Sequence, residues 1–198
     1  MRLRNRFALP IVRTVLLPIV VMIVHIRHAQ MEDIPALENL ILDSVSVLSL
    51  PYYTAKQISS ALAHVFGPDT QLILDGTYFV AEADNQIAGS GGWSRRKTLF
   101  GGDQAKSLAD PLLNPAKDAA RIRAFYVHPR WSRKGVATKI LTACEDEARR
   151  AGFSRIELAA TLPGEPLYLA RGYRKCEPLQ ITTPDGESLP AFRMEKEI

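Results

Sequence analysis

The strongest constraint on the fold is a short apolar strand that leads through a basic, glycine-containing turn into a long amphipathic helix. Residues 122–127 are rich in β-branched and aromatic side chains and are followed by Pro129, which is typical of a strand that ends there. The spacing of the next apolar residues predicts a helix over about 133–151, and Gly152 ends it. The predicted buried stripe of this helix is Val136, Ile140, Leu141, Cys144 and Ala148. A strand followed by a helix with one apolar side indicates a layered α/β fold.

The rest of the chain extends this unit into one domain. Apolar residues recur at helical spacing over about 33–48 and 54–65, and Asp33 (or Glu32) and Thr54 are the predicted N-caps. The pattern predicts strands at about 23–29, 77–83, 86–96, 122–127, 154–160, 173–183 and 188–197, and a further short helix at 163–171. This order predicts an α/β fold with a mixed, mostly antiparallel central sheet of about seven strands and helices on both faces.

Two features interrupt the regular pattern. Gly89, Gly91 and Gly92 fall inside one predicted strand, which they would weaken unless a bend or a closely approaching ligand needs the room. Residues 98–119 contain two glycines and two prolines and are predicted to form a long loop. Loops of this length in compact domains are often functional.

The first 21 residues do not fit the domain pattern, and three interpretations are open. The segment 15–26 is almost wholly apolar and follows several arginines, but a transmembrane helix needs about 20 apolar residues, so an anchor over 1–26 would be short. A signal peptide shares this basic-then-apolar order, although no small-x-small cleavage pattern lies near 25–30. A structured arm is another alternative. We favour translation from Met22, so that 1–21 is an extension outside the fold and the domain covers 22–198.

The charge of the chain does not favour nucleic acid as a partner. The sequence has 25 Lys and Arg against 21 Asp and Glu, a net charge of +4. Residues 1–21 contain Arg2, Arg4, Arg6 and Arg13 and no acidic residue, so the remaining residues are neutral overall. A domain that binds nucleic acid needs a basic surface. We therefore expect no nucleic-acid partner, and no membrane partner for 22–198.

The cysteine and histidine content gives no metal or disulfide signature. The chain has two cysteines and lacks C-x-x-C and H-E-x-x-H spacing. A domain of 198 residues can bury a sufficient core without such supports. We expect no metal.

The turn before the long helix is a candidate anion site. Backbone N–H groups at a helix start have no partner within the helix, and the helix dipole adds positive potential there. Gly135 and Ala137 leave room for oxygen atoms, while Arg133 and Lys134 add positive charge. A diphosphate fits such a turn, although a solvated turn with good capping has the same sequence.

Two motifs at a defined separation are more specific than this turn alone. Residues 127–137 (V-x-P-x-x-x-R-K-G-V-A), followed by an apolar helix, resemble the acetyl-CoA-binding motif of the GNAT acetyltransferase superfamily. Residues 168–173 (Y-L-A-R-G-Y) are similar to the closing helix of that family, and the order of elements agrees over about 22–198. Ser132 departs from the Gln or Arg that the family usually has, and Thr161 departs from a frequent Asn. We expect Ser132 to cap the helix and Arg133 to supply the missing charge.

The resemblance implies the acyl-CoA N-acyltransferase fold and acetyl-CoA as acyl donor. In this fold the fourth and fifth strands splay apart, and the pantetheine arm inserts between them. That arm would pair with the backbone of Phe125, Tyr126 and Val127. The residues implied to bind the diphosphate are Arg133, Lys134, Gly135, Val136, Ala137 and Thr138.

The resemblance also implies direct transfer of the acetyl group to an amine. A neutral amine would attack the thioester, a backbone N–H near Val127 would stabilise the charge on the carbonyl oxygen, and Tyr168 would protonate the departing thiolate. A purely structural alternative for Tyr168 is a packed aromatic whose hydroxyl finds a partner elsewhere.

The acceptor side is less well defined by the sequence. In the family fold the third strand and the following loop border the acceptor pocket, so Trp93, Ser94 and Asp103 are expected to flank it. An aromatic residue beside a glycine-rich loop suits a small-molecule amine. The general base stays open among Glu82, Asp103, Glu157, His128 and a water-mediated route.

Two other functions compete with this interpretation. The domain could bind acyl-CoA without catalysis, or the acetyltransferase could be tethered to a membrane through residues 1–26. For the enzyme we expect a cytoplasmic location, and the resemblance is compatible with a homodimer.

Overall fold

The computed structural model describes residues 23–105 and 110–198. The hypotheses about residues 1–21 concern a segment outside the described part of the chain. Within the described part, no helix has the length and apolar character needed to cross a membrane.

The described strands form one seven-stranded sheet in the order β1-β2-β3-β4-β5-β7-β6. The strands are β1 (His25–His28), β2 (Tyr78–Ala83), β3 (Gln86–Ser94), β4 (Ala120–Val127), β5 (Arg155–Thr161), β6 (Arg174–Thr182) and β7 (Ser188–Glu197). Among these, β4 and β5 pair in parallel and the other neighbours pair antiparallel. The prediction of a mixed, mostly antiparallel sheet is confirmed.

Helices cover both faces of this sheet. The described α-helices are α1 (Ile34–Leu48), α2 (Ala55–His64), α3 (Thr70–Leu74), α4 (Val136–Arg150) and α5 (Glu165–Ala170). The predicted stripe of α4 is buried against Ile122 of β4 and Leu158 of β5. Helices α1 and α2 pack against Leu189 and Ala191 of β7, whereas Phe192 and Met194 of the same strand contact the α4 layer. Because strand side chains alternate between faces, the two helical layers lie on opposite sides.

Two details of the helices differ from the prediction. Helix α3 was not predicted: it is one short turn in which the Asp69 side chain accepts a hydrogen bond from the Leu72 N–H at 3.1 Å. Helix α4 begins at Val136 rather than near 133, and its N-cap is Gly135, which has no side chain to cap it. The expected cap by Ser132 is therefore wrong, because Ser132 ends the preceding 3₁₀ turn instead.

The glycines of β3 make room for the protein's own side chains. A Cβ at Gly89 would lie 2.9 Å from Val136 of α4, and one at Gly91 would collide with the Phe125 ring. A Cβ at Gly92 would similarly collide with Leu72 of α3. The glycines thus let α4 and the Phe125 ring approach the sheet closely.

A buried arginine ties the long β3–β4 loop to the sheet. The side chain of Arg123 on β4 is 1% exposed, and its guanidinium lies 2.9 Å from the Asp69 carboxylate and 3.5 Å from that of Asp110. It also donates a hydrogen bond to the Thr98 carbonyl at 3.0 Å. Both Thr98 and Asp110 belong to the loop, so the Arg123 guanidinium links the loop, the sheet and the start of α3.

This arrangement predicts that Arg123→Met destabilises the fold strongly. Removing one partner of a buried ion pair leaves an uncompensated charge, and the expected loss is about 3–5 kcal/mol in the free energy of unfolding, measured by urea denaturation. The control is Arg130→Met, which breaks an exposed pair with Asp84 and should cost about 1 kcal/mol or less. Equal losses in the free energy of unfolding for the two variants would contradict this role of Arg123.

Candidate active site

The parallel strands β4 and β5 separate halfway along their length. Their pairing ends at Ile122 and Leu158. Beyond that point β4 still pairs with β3 as far as Val127, and β5 still pairs with β7 as far as Thr161. The facing backbone edges of 123–127 and 159–161 therefore lack each other as partners. A cleft of about 840 Å³ opens between them.

A β-bulge shapes the β4 edge of the cleft. Arg123 pairs with Gly92 and Tyr126 pairs with Ser90, so two residues of β4 lie opposite one residue of β3 between these pairs. Ala124, inside the bulge, has a left-handed φ of 54°. A bulge of this kind bends the strand and re-aims its side chains.

Adjacent aromatic residues after the bulge reach opposite sides of the sheet. Phe125 packs in the α4 layer, with its ring centroid 6.3 Å from that of Tyr168. Tyr126 packs in the α1–α2 layer, 6.3 Å from the ring of Phe66. Both residues line the cleft, so the cleft passes through the sheet from one layer to the other.

The start of α4 presents unpaired amides to the cleft. The Lys139 N–H donates to the Gly135 carbonyl at 3.1 Å, which is the first bond of the helix. The N–H groups of Val136, Ala137 and Thr138 consequently have no partner within the helix. Arg133 and Gly135 both have left-handed backbones, with φ of 61° and 83°. Alternating turn geometry of this type groups N–H donors into an anion-binding concavity.

The structure brings most of the predicted cofactor residues into one cleft. The lining includes Phe125, Tyr126, Val127, Arg133, Gly135, Val136, Ala137 and Thr138. Lys134 is exposed and is not among the residues that line the cleft. The positive end of the α4 dipole and the Arg133 side chain give this end of the cleft a favourable environment for an anion.

Tyr168 lies in the same cleft, on α5. Its side chain is 6% exposed, and it packs edge-on against Phe125 and against Tyr173, whose ring centroid is 5.5 Å away. The Tyr173 N–H donates to the Tyr168 carbonyl at 3.0 Å and closes the helix behind it. The Tyr168 hydroxyl forms no hydrogen bond with another described residue. Burial raises the pKa of this phenol above its ordinary value, so the hydroxyl keeps its proton at neutral pH.

The Val127 amide, near which the sequence analysis places the donor to the carbonyl oxygen, has a protein partner. Its N–H donates to Oγ of Ser44 on α1 at 3.3 Å. Ser44 is buried and lines the cleft, so its hydroxyl extends the donor set at this point. Sequence reasoning missed Ser44, although it is the polar residue within the buried stripe of α1 formed by Leu37, Leu40, Ile41 and Val45.

The residues expected to flank the acceptor pocket lie outside the described cleft. The indole N–H of Trp93 donates to Glu147 of α4 at 3.0 Å, and the ring packs against Phe153 in the core. Ser94 is buried and accepts a bond from the Arg96 N–H at 3.1 Å. Asp103 accepts from the Thr70 N–H at the start of α3. None of Trp93, Ser94 and Asp103 lines the described cleft, and their polar atoms bond within the core and at a helix start.

The other candidate bases are also engaged outside the cleft. Glu82 accepts a hydrogen bond from Arg27, and Glu157 lies 2.8 Å from Arg121. His128 accepts from the Arg130 N–H through Nδ1. The residues described as lining the cleft include no Asp, Glu or His. No group of His, Cys, Asp and Glu in the described residues is arranged to hold a metal ion.

The fold and the cleft together define an α/β protein whose sheet is split beside an uncapped helix N-terminus. The family model for the acetyltransferase (GNAT) family matches residues 43–173, which span the split, the turn and α5. The chain belongs to the GNAT acetyltransferase family.

Solved structures confirm the fold. A GCN5-related N-acetyltransferase from Rhodopseudomonas palustris superposes with a TM-score of 0.66 at 20% identity, covering 91% of this chain and 100% of that one. A PaiA N-acetyltransferase from Thermoplasma acidophilum, solved with coenzyme A, gives 0.61 at 15% identity over 89% and 100%. An acetyltransferase from Salmonella typhimurium, solved with acetyl-CoA, gives 0.57 at 18% identity over 88% and 93%. No curated protein matches the chain.

Proposed function

We propose that this domain transfers an acetyl group from acetyl-CoA directly to the amine of a small molecule. The observation that carries the proposal is the split between β4 and β5, which exposes a strand edge beside the unpaired amides of α4. Family membership supports the acetyltransferase class, and two similar proteins were solved with coenzyme A or acetyl-CoA. We propose the cytoplasm as its location.

The residues present fit coenzyme A. The amides of Val136, Ala137 and Thr138 would bind the diphosphate, with Arg133 adding charge. A Cβ at Gly135 would meet no other atom within 4 Å, so the surface above this turn is open. The edge of 125–127 would hydrogen-bond the amide-containing arm as a neighbouring strand would.

Tyr168 and the α1 side of the cleft would provide the chemistry. Acetyl-CoA supplies a thioester whose carbonyl carbon accepts the amine nitrogen while the carbon–sulfur bond breaks. Tyr168 would donate its proton to the departing sulfur. The attacking amine would release a proton to solvent, and Tyr168 would then take up a proton from solvent. The Ser44 hydroxyl, which accepts the Val127 N–H, would donate its own proton in a hydrogen bond that stabilises negative charge on the carbonyl oxygen.

A non-catalytic acyl-CoA-binding module would share the cleft. Such a module would not need the Tyr168 hydroxyl, which forms no hydrogen bond with another described residue. Transfer to a panel of amines, followed by release of free thiol, separates the two functions. The membrane-tethered alternative depends on residues 1–26 and is tested by fractionation of the full-length protein.

The role of Tyr168 predicts the behaviour of Tyr168→Phe. Loss of the acid should lower kcat by about 10²-fold or more, while calorimetry should give nearly unchanged affinity for acetyl-CoA because the ring and its packing remain. The matched control is Tyr173→Phe, which removes a neighbouring buried hydroxyl outside the cleft and should leave kcat near wild type. Unchanged kcat in Tyr168→Phe would refute the role.

The left-handed backbone at Gly135 predicts a binding defect in Gly135→Ala. A side chain at this φ costs about 1–2 kcal/mol, and reshaping the amide turn to relieve it should weaken coenzyme A binding about tenfold. Gly186→Ala is the control, since Gly186 has φ of 87° and equally open surroundings in the β6–β7 turn. Both variants should lose similar stability by urea denaturation, and binding should weaken in Gly135→Ala alone. Equal affinities in the two variants would contradict the diphosphate site.

A further inference from the structure

The cleft continues beyond the sheet into a part that lies away from the diphosphate-binding residues of α4. This acceptor half lies in the α1–α2 layer, on the side opposite α4. Its lining comes from the end of α1, the α1–α2 turn, the segment after α2, the β3–β4 loop and β6, and includes Val47, Leu48, Tyr52, Phe66, Phe100 and Ile181. These side chains are aliphatic or aromatic.

The charge of the lining restricts what can bind there. No Asp, Glu or His occurs among the described residues that line the cleft. Arg123 is buried against Asp69 and Asp110, while Arg133 and Arg171 belong to the α4 and α5 side. A ligand with a second ammonium group would place it among apolar side chains without a counter-ion, which is unfavourable. An apolar body gains about 25 cal/mol for each Å² that it buries.

Tyr126 contributes a polar group to this half of the cleft, where Ser44 also lies. Tyr126 is half-buried on β4, between the two residues whose backbone lies in the split, and its hydroxyl forms no hydrogen bond with another described residue. Burial raises the pKa of Tyr126 well above its ordinary value, so the group is a neutral phenol rather than a counter-ion. A neutral phenol oxygen can accept a hydrogen bond from an amine and leave the nitrogen lone pair free.

We infer that the acceptor half of the cleft binds an amine with a single basic nitrogen on an apolar body, and that the Tyr126 hydroxyl positions this nitrogen. The inference rests on the proposed function and specifies its substrate class. It excludes polyamines and other polycations as preferred acceptors.

The first test compares two amines of equal length that differ in charge. Hexylamine and 1,6-diaminohexane are titrated by calorimetry into the full-chain protein, saturated with coenzyme A and also free. Hexylamine should bind at least about tenfold more tightly, equivalent to about 1.4 kcal/mol. Equal or tighter binding of the diamine, or no binding of hexylamine in either state, would overturn the inference. The coenzyme A titration made beforehand reports separately on the proposed function.

The second test introduces an acidic side chain that could serve as a counter-ion for a second ammonium group. Val47 is 50% exposed on α1 and lines the cleft, so Val47→Glu should raise the affinity for 1,6-diaminohexane about tenfold and remove the preference for hexylamine. Leu42→Glu is the matched control, because Leu42 is 52% exposed on the same helix and does not line the cleft. The same change in preference in both variants would show that the acceptor half is not the binding site.

The third test isolates Tyr126. Tyr126→Phe keeps the ring against Phe66 and removes the hydroxyl. It should raise the KM for hexylamine about fivefold or more, because a lost neutral hydrogen bond is worth about 1 kcal/mol. The KM for acetyl-CoA should stay unchanged, because only the backbone of Tyr126 would pair with that ligand. A merely structural role would change both KM values or the stability, and an unchanged KM for hexylamine would refute the positioning role.

Discussion

The parting of β4 from β5 is the constraint on which the rest of the structure depends. Two parallel strands that stop pairing leave backbone donors and acceptors unsatisfied, and each such group costs about 1–3 kcal/mol if it stays buried without a partner. The fold tolerates the opening because β3 and β7 still pair with the outer edges of the two strands. The bulge at Ala124 bends one strand away, and the buried Arg123 fixes the loop beside it. Under the proposed function, an opening held in this way would be a preformed site for a ligand with its own amides.

The same opening is lined by different functional groups on the two sides of the sheet. The start of α4 and Tyr168 lie on one side, and Ser44 and Tyr126 lie on the other. Consecutive residues Phe125 and Tyr126 point to different layers because strand side chains alternate. Under the proposed function, an acyl donor that enters from the α4 side and an acceptor that enters from the α1 side would meet at the exposed edge of β4. This geometry suits direct transfer, since neither partner needs to leave before the other binds.

The sequence predicted the elements and the local motif better than the acceptor side. The stripe of α4 and the capping of α2 by Thr54 follow from periodicity and side-chain chemistry, and both are confirmed. The short helix α3 was missed because a single turn has no periodicity to detect. The position of the Trp93 side chain depends on its hydrogen bond to Glu147, which is 54 residues away in the sequence and which no local pattern reveals. The positions of Ser44 and Tyr126 in the cleft depend in the same way on how α1 crosses the split.

Hydrogen–deuterium exchange with and without coenzyme A tests the central claim most directly. Binding should slow exchange at the amides of 125–127 and 133–138 together, because both segments would hydrogen-bond the same ligand. The β6–β7 turn around Gly186 should exchange at the same rate in both states. Saturating coenzyme A that leaves both segments unprotected, in protein that remains folded, would contradict the account.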